Sequence, residues 1–271
     1  MIYEEIAPPP PLDALVHRFW FLRGSLDAGS PQTIVPDGRS EIVLHLAEPF
    51  AEPDRSGFAR AQPWALFAGQ LTGPLHLIPR GPADVVGIRF HPAGARSLAR
   101  RPLSEVTGHM VSLEEMVPGL AGALASAVAR IGGTGARGVA LAEVLTRFVR
   151  SEPSPLVTAA VGALGDRRLT RIESLSRALG VAPRTLERRI RETVGLSPAT
   201  LRSVLRFRRV FSGLSARARG HWTRVAAAAG YYDQAHLIRD FRRFAGAPPS
   251  TFFGAAADLA RAFVGPGESP A

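Results

Sequence analysis

The sequence predicts an α+β protein: a small N-terminal β-barrel or sandwich with helices, followed by an all-α domain of two helix-turn-helix units joined by a linking helix. Three observations lead to this prediction. Short apolar runs bounded by Gly or Pro occupy residues 17–90, helical spacing begins after residue 91, and positive charge accumulates after residue 150. A chain of 271 residues has room for two ordinary domains.

Six short runs in the N-terminal half have the composition of β-strands, being rich in β-branched and aromatic residues. The turn signal Pro36-Asp37-Gly38 separates the second run from the third, which predicts that these two runs pair. Short, evenly spaced strands are typical of a small barrel or sandwich. The predicted strands are 17–24, 33–35, 41–46, 65–68, 75–78 and 85–90.

Helical spacing then predicts helices over 93–98, 113–131 and 139–149. Apolar residues of the second helix either form a dimer interface or pack back on the strands; they are Leu113, Met116, Val117, Leu120 and Leu124. The Pro- and Ser-rich run 151–155 is the best linker candidate. The predicted boundaries are 1–115 for the β-rich domain, 116–150 for linking helices with a possible dimer interface, 154–255 for the all-α domain and 265–271 for a disordered tail.

The charge distribution separates the two halves. Residues 1–150 hold 14 Arg and 14 acidic residues, whereas residues 151–271 hold 19 Arg and 9 acidic residues, so the net charge of +10 lies entirely in the C-terminal part. A neutral half joined to a basic half suggests that the basic half meets a polyanion. The alternative is that the C-terminal part is a soluble, basic domain that binds no polyanion.

The sequence contains none of the residue patterns typical of several classes of enzyme and metal site. Without Cys there are no disulfides, thiolate metal sites or Cys nucleophiles. The common hydrolase, metalloprotease, phosphate-loop and dinucleotide motifs are missing, so we expect no enzyme and no cofactor. His45, His76 and His91 could meet at a metal, but no His-x-His pair accompanies them, and we predict no metal site. With no signal peptide and no membrane-spanning run, the predicted location is cytoplasmic, away from membranes.

The first helix-turn-helix pattern follows the linker. Gly180 ends a short helix, and Pro183 suits the first turn of the next one. Leu186, Ile190 and Val194 recur at four-residue spacing and predict the buried stripe of this second helix. Its opposite face carries Arg184, Glu187, Arg188 and Arg191.

The same pattern recurs further along the chain. Gly230 closes a helix of small residues, and Asp233 has the residue type of an N-cap for the next helix. Leu237, Phe241 and Phe244 form its predicted buried stripe. The outer face carries His236, Arg239 and Arg243. Residues 198–214 predict the linking helix, which must hold the two units about one DNA turn, ~34 Å, apart if both enter the major groove on one face.

The C-terminal region, over residues 156–253, resembles the AraC/XylS-type transcription regulators. The signature residues are Gly230-Tyr231-Tyr232-Asp233-Gln234-Ala235-His236-Leu237, followed by Arg239, Phe241, Arg242, Arg243, Gly246 and Pro248-Pro249. Ile190 replaces the Phe that is usual in the family, and Phe253 replaces a usual Tyr.

This resemblance implies that each unit supplies one recognition helix to double-stranded DNA. Arg pairs bidentately with guanine and Gln with adenine, so polar residues on the outer faces are candidate base readers. For each Arg the alternative is a phosphate contact or a solvated charge. The base-reading candidates are Arg184, Glu187, Arg188, Gln234, His236 and Arg239, and the DNA-backbone candidates are Arg191, Arg206 and Arg243.

The N-terminal half, over residues 3–115, is similar to the β-rich sensor domain that precedes the DNA-binding part in a subset of these regulators. The similarity rests on the runs 19–20, 35–38, 67–71 and 87–95. It implies a regulatory role but no specific ligand. Candidate effector-pocket residues are Trp20, His45, Trp64, Arg89 and His91; the alternative is that the Trp residues are core and Arg89 is structural.

The sequence therefore predicts a sequence-specific transcription regulator switched by a small-molecule effector or a partner at its N-terminal domain. RNA polymerase is a further expected partner if the protein activates transcription, and a homodimer is possible. Two alternatives stay open: an enzyme or small-molecule binding protein with an accessory DNA module, and an architectural nucleic-acid binder without sequence preference.

Overall fold

The computed structural model describes residues 1–26, 31–53, 58–166, 171–212 and 221–254. The tail 265–271, predicted to be disordered, lies outside the described residues. The predicted α+β class is confirmed, because a β-rich N-terminal part is followed by a helical C-terminal part. In the described part of the chain, no helix is both long and apolar enough to cross a bilayer.

The N-terminal part is built on one six-stranded antiparallel sheet. In spatial order its strands are β1 (Ile2–Ile6), β2 (Val16–Gly24), β9 (Ala83–Phe90), β4 (Glu41–His45), β7 (Ala65–Ala68) and β10 (Met110–Ser112). Two smaller sheets pair β3 (Gln32–Ile34) with β8 (Leu75–Leu77), and β5 (Ala51–Pro53) with β6 (Ala59–Ala61). The large sheet is open, with β1 and β10 as its edges, so the described strands form layers and not a closed barrel.

Alternation along β4 separates the two faces of the large sheet, because successive strand residues point to opposite sides. Ile42 and Leu44 belong to a core that the sheet shares with the helices. Glu41, Val43 and His45 point to the other side, toward the small sheets. One face therefore builds the domain core, and the other builds a cavity.

The expected pairing across Pro36-Asp37-Gly38 is wrong. Strand β3 pairs with β8 in a small sheet, and β4 pairs with β7 and β9 in the large one. The physical reason is a long-range contact. A Cβ at Gly38 would lie 3.3 Å from Cδ2 of Leu205 in the C-terminal domain, so this turn packs against another domain and does not fold two strands together.

The single helix expected over 113–131 is two helices, α1 (Leu113–Met116) and α2 (Leu120–Val128). Val117 between them has φ −143°, as expected for a residue that precedes a proline. Helix α3 (Thr134–Phe148) starts five residues before the expected start at 139, and 93–98 contains only a short 3-10 turn, Ala95–Ser97. The five apolar residues considered for a dimer interface are all buried in the core shared with the sheet, so they are not available to a second copy.

The C-terminal domain consists of α4 (Pro155–Gly165), α5 (Ile172–Ala178), α6 (Pro183–Val194), α7 (Pro198–Ser212), α8 (Trp222–Ala229), α9 (Gln234–Ala245) and α10 (Pro249–Gly254). Helix α7 runs through its centre. Phe207 on α7 is fully buried, and its ring centroid lies 4.9 Å from that of Phe241 and 5.2 Å from that of Phe244, both on α9. The linking helix thus organises the core on which both helix-turn-helix units rest.

Candidate nucleic-acid interface and ligand cavity

The first helix-turn-helix unit is formed by α5 and α6. Gly180 has φ +68°, the left-handed conformation that glycine tolerates best at the end of a helix. Pro183 occupies the first turn of α6, where its missing N–H costs nothing. Leu186, Ile190 and Val194 are fully buried, as their four-residue spacing predicts.

The second unit, α8 and α9, is built the same way. Gly230 ends α8 with φ +86°. The Asp233 carboxylate accepts a hydrogen bond of 2.6 Å from the His236 backbone N–H, which caps α9. The predicted stripe of Leu237, Phe241 and Phe244 is fully buried. Local sequence signals therefore fix both units.

The outer faces of α6 and α9 are rich in exposed arginine. On α6, the predicted residues Arg184, Glu187, Arg188 and Arg191 are all exposed. On α9, the exposed predicted residues are Gln234, Arg239 and Arg243. Some of these side chains have partners: Arg188 pairs with Glu192 at 3.3 Å, and Thr223 on α8 donates to the Gln234 side chain at 3.0 Å.

Arg206 does not fit the role of a DNA-backbone contact. Its guanidinium pairs with the Asp240 carboxylate at 2.9 Å and lies 4.7 Å above the centre of the Tyr231 ring. Only 15% of the Arg206 side chain and 11% of the Asp240 side chain are exposed. This arginine connects α7 to α9 inside the domain, because a charge buried this deeply needs a charged partner.

His236 is half-buried, which restricts its expected part in base reading. Its Nε2 lies 3.0 Å from an Arg206 guanidinium nitrogen, which can only donate, so Nε2 accepts and the ring is neutral. Partial burial and the nearby Arg206 charge lower the pKa of His236. Nδ1 therefore carries the proton of the neutral ring.

Sequence reasoning missed two groups that fix the geometry of these helices. Asp240 is one; the available signal was a single acid within an arginine-rich helix, and the structure shows that it is buried. Arg209 is the other: it donates to the backbone carbonyls of Gly165 and Ala229 at 2.7 and 3.2 Å and so ties α7 to the ends of α4 and α8. No sequence pattern distinguishes Arg209 from its neighbours on α7.

A cavity lies on the face of the large sheet opposite the helices. Its empty volume, open mouth included, is about 740 Å³. Three of the five predicted pocket residues, Trp20, His45 and Arg89, line it. The structure does not bring the other two there: Trp64 is 48% exposed at the surface, and the His91 ring packs 5.3 Å from that of His17.

A buried charge cluster closes one end of this cavity. Arg89 donates to Glu41 at 2.5 Å and to Glu5 at 3.1 Å, and Asp37 lies 3.9 Å away. The Trp20 indole N–H donates to the second oxygen of Glu41 at 3.2 Å. Burial raises the pKa of Glu41 while Arg89 opposes the rise, and the surrounding acids raise the pKa of Arg89 despite its own burial. The positive charge of Arg89 is thus balanced by acidic side chains of the protein itself.

The segment 70–75 connects the cavity to the ends of α6 and α9. Leu71 and Leu75 line the cavity. Between them, Pro74 lies against Gly246, the residue that ends α9; a Cβ there would be 3.5 Å from Pro74 Cγ. A Cβ at Gly195, which ends α6, would be 3.4 Å from the Gln70 side chain.

A hydrogen bond adds to the contact at the end of α6. The Thr107 hydroxyl donates to the Gly195 carbonyl at 2.5 Å. Within the N-terminal domain, the Gln70 amide donates to the Gly38 carbonyl at 3.0 Å. The N-terminal domain therefore contacts the C-terminal ends of both second helices and leaves their outer faces exposed.

Two paired helix-turn-helix units with arginine-rich outer faces define a DNA-binding domain of the helix-turn-helix class. Residues 175–255 match a family model described as a helix-turn-helix domain, and residues 4–112 match a domain of unknown function (DUF6597). No curated protein sequence matches the chain.

Two solved structures show a similar fold over most of the chain. One is ToxT from Vibrio cholerae, at 10% identity, with 87% of this chain and 98% of that chain covered and a TM-score of 0.50. The other is an apo variant of ToxT from the same organism, at 11% identity, with 87% and 97% covered and a TM-score of 0.51. Residues 175–255 therefore form a helix-turn-helix domain, and the likeness to ToxT, at 10–11% identity, shows a shared fold.

Proposed function

We propose that this protein is a sequence-specific transcription regulator whose DNA binding is switched by a small molecule in the N-terminal cavity. The observation that carries this proposal is the segment 70–75, which lines the cavity and contacts the ends of both second helices. As a regulator of transcription it would act on DNA in the cytoplasm. RNA polymerase as a partner, if the protein is an activator, and a homodimer remain predictions.

The exposed outer faces supply the proposed readers. Arg184, Glu187 and Arg188 on α6, and Gln234, His236 and Arg239 on α9, would contact base edges. Arg191 and Arg243, further along the same helices, would contact phosphates, which set affinity without reading sequence. Arg206 leaves this set because it is paired inside the domain.

The proposed switch works through the spacing of the two recognition helices. Both must fit the major groove of one duplex, so a small change in their separation alters DNA affinity. A ligand that moves Leu71 or Leu75 would shift Gln70 and Pro74, which contact the two helix ends. A ligand acts this way only if it binds the two arrangements with different affinity.

Selection of bound genomic fragments by the full chain, with and without metabolites extracted from cells, tests the proposal. We expect one enriched motif, a steep fall of affinity with salt, and a change of occupancy when metabolites are present, since each neutralised phosphate releases counterions. Equal recovery of random duplex would refute sequence specificity, and an unchanged profile with metabolites would refute the switch.

Replacing Arg239 with Ala is expected to weaken binding to the selected motif by about 1–3 kcal/mol and to relax the preference at one base pair. Arg239 is exposed on α9, so the free energy of unfolding should not change. Binding assays on motif variants measure the effect. Arg224→Ala, at an exposed site on α8, is the matched control and should leave base preference intact. Equal weakening on every sequence by Arg239→Ala would make Arg239 a phosphate contact.

A further inference from the structure

A chain of hydrogen bonds at one end of the cavity determines the protonation of His45. The Gln62 amide nitrogen donates to Glu52 at 2.7 Å, which fixes the orientation of the Gln62 side chain. The Gln62 oxygen then lies 3.1 Å from Nε2 of His45. Because that oxygen can only accept, Nε2 carries the proton, and Nδ1 of the neutral ring is an acceptor.

Nδ1 of His45 is buried and has no hydrogen-bond partner among the described residues. Only 4% of His45 is exposed, and the residue lines the cavity. Burial lowers the pKa of His45 to about 4, so the ring stays neutral near pH 7. A buried acceptor without a partner costs free energy, which a ligand that donates a hydrogen bond recovers.

The rest of the cavity limits what such a ligand can be. Apart from its polar ends, the wall is apolar and includes Val43, Phe50, Leu66, Leu75, Leu77 and Val85. Glu41 lies four residues before His45 on the same face of β4, so the two ends are about 13 Å apart. At the Glu41 end, Arg89 is already paired with carboxylates, and Arg39 lies 3.7 Å from Asp37. A carboxylate ligand would have to compete with the acids that already pair with these two cations, and at His45 it would meet a lone pair instead of a donor.

We infer that the cavity binds an elongated, largely apolar and uncharged molecule whose hydroxyl or N–H group donates a hydrogen bond to Nδ1 of His45. This inference rests on the proposed function, because it specifies the effector class for the proposed switch. It assigns His45 as the residue that selects donor-bearing ligands. The apolar wall supplies most of the affinity, and His45 supplies the discrimination.

Calorimetric titration of the full chain with three probes tests the inference: 1-octanol, its methyl ether and octanoate. The ether keeps the alkyl chain and oxygen but lacks the donor. We expect 1-octanol to bind about tenfold more tightly than the ether, with octanoate weaker than 1-octanol. Equal binding of alcohol and ether, tighter binding of octanoate, or no binding of any probe would overturn the inference.

Two variants locate the effect. His45→Phe keeps a ring but removes the acceptor, so the affinity ratio of alcohol to ether should fall to about one. His76→Phe makes the same change at an exposed histidine that does not line the cavity, and should keep the wild-type ratio. The alcohol-to-ether affinity ratio of the wild-type protein tests the inference even if His45→Phe does not fold. These titrations contain no DNA. A negative result would therefore overturn the inferred ligand class but not the proposed DNA recognition. Conversely, a failure to find sequence-selective DNA binding would not change the outcome of the titrations.

Discussion

Replacing Arg206 with Met is expected to destabilise the C-terminal domain by about 3 kcal/mol and to abolish binding to the selected DNA motif. The change leaves the Asp240 carboxylate buried without its ion-pair partner at 2.9 Å. It also removes the cation above the Tyr231 ring and the link from α7 to α9. Chemical denaturation followed by far-ultraviolet circular dichroism measures the loss of stability.

Two comparisons separate a structural role from a DNA contact. Arg239→Met makes the same substitution at an exposed position of α9 and should change stability by less than about 0.5 kcal/mol. Combining Arg206→Met with Asp240→Leu removes both charges and should restore most of the stability. If Arg206→Met instead kept full stability and lost only salt-dependent DNA affinity, Arg206 would be a phosphate contact after all.

The second large effect concerns Gly87, which lies on β9 beneath the Trp20 ring. A Cβ at this position would be 1.8 Å from Cε2 of Trp20, and Trp20 is buried, with an indole N–H that donates to Glu41. Gly87→Ala must therefore displace Trp20 from the cavity wall. We expect a loss of about 3 kcal/mol in the free energy of unfolding from overpacking, and loss of 1-octanol binding.

Gly122→Ala is the matched control for that substitution. Gly122 lies on the exposed face of α2, and a Cβ there would meet nothing within 4 Å. Because alanine favours a helix more than glycine does, this variant should be more stable by about 0.5–1 kcal/mol and should bind 1-octanol normally. Thermal denaturation of both variants gives the comparison. Normal octanol binding by Gly87→Ala would show that the cavity tolerates movement of Trp20.

Elements with strong local signals could be predicted well. The stripes of α6 and α9 follow from apolar spacing, and Gly180 and Gly230 mark the turns in both units. Strand β7 has the predicted bounds. Strands β1, β5, β6 and β10 were missed. The residues of β5 and β6 include no β-branched or aromatic side chain, and only the pairing of β1 with β2 and of β10 with β7 marks the other two as strands. The same local signals placed five of the six candidate base readers on exposed helix faces, because a buried stripe fixes which face points outward; His236 is half-buried.

Partners distant in sequence could not be predicted. Nothing in the local sequence distinguishes Arg206 from the other arginines of α7, because its partner Asp240 is 34 residues away. The cavity posed the same difficulty, since Trp20 and Trp64 look alike in sequence but only Trp20 lines the wall. Pro36-Asp37-Gly38 looked like a hairpin turn because its contact with Leu205 lies in the other domain.

The sequence by itself determined the two-part α+β organisation, both helix-turn-helix units and the basic character of the C-terminal domain, because periodicity, helix-end residues and charge are local properties of the chain. The tertiary structure alone decided which arginines stay available for DNA and which are buried. It also decided that the segment 70–75 contacts the ends of both second helices. These features depend on burial and on contacts between residues far apart in the chain, and no local pattern encodes them.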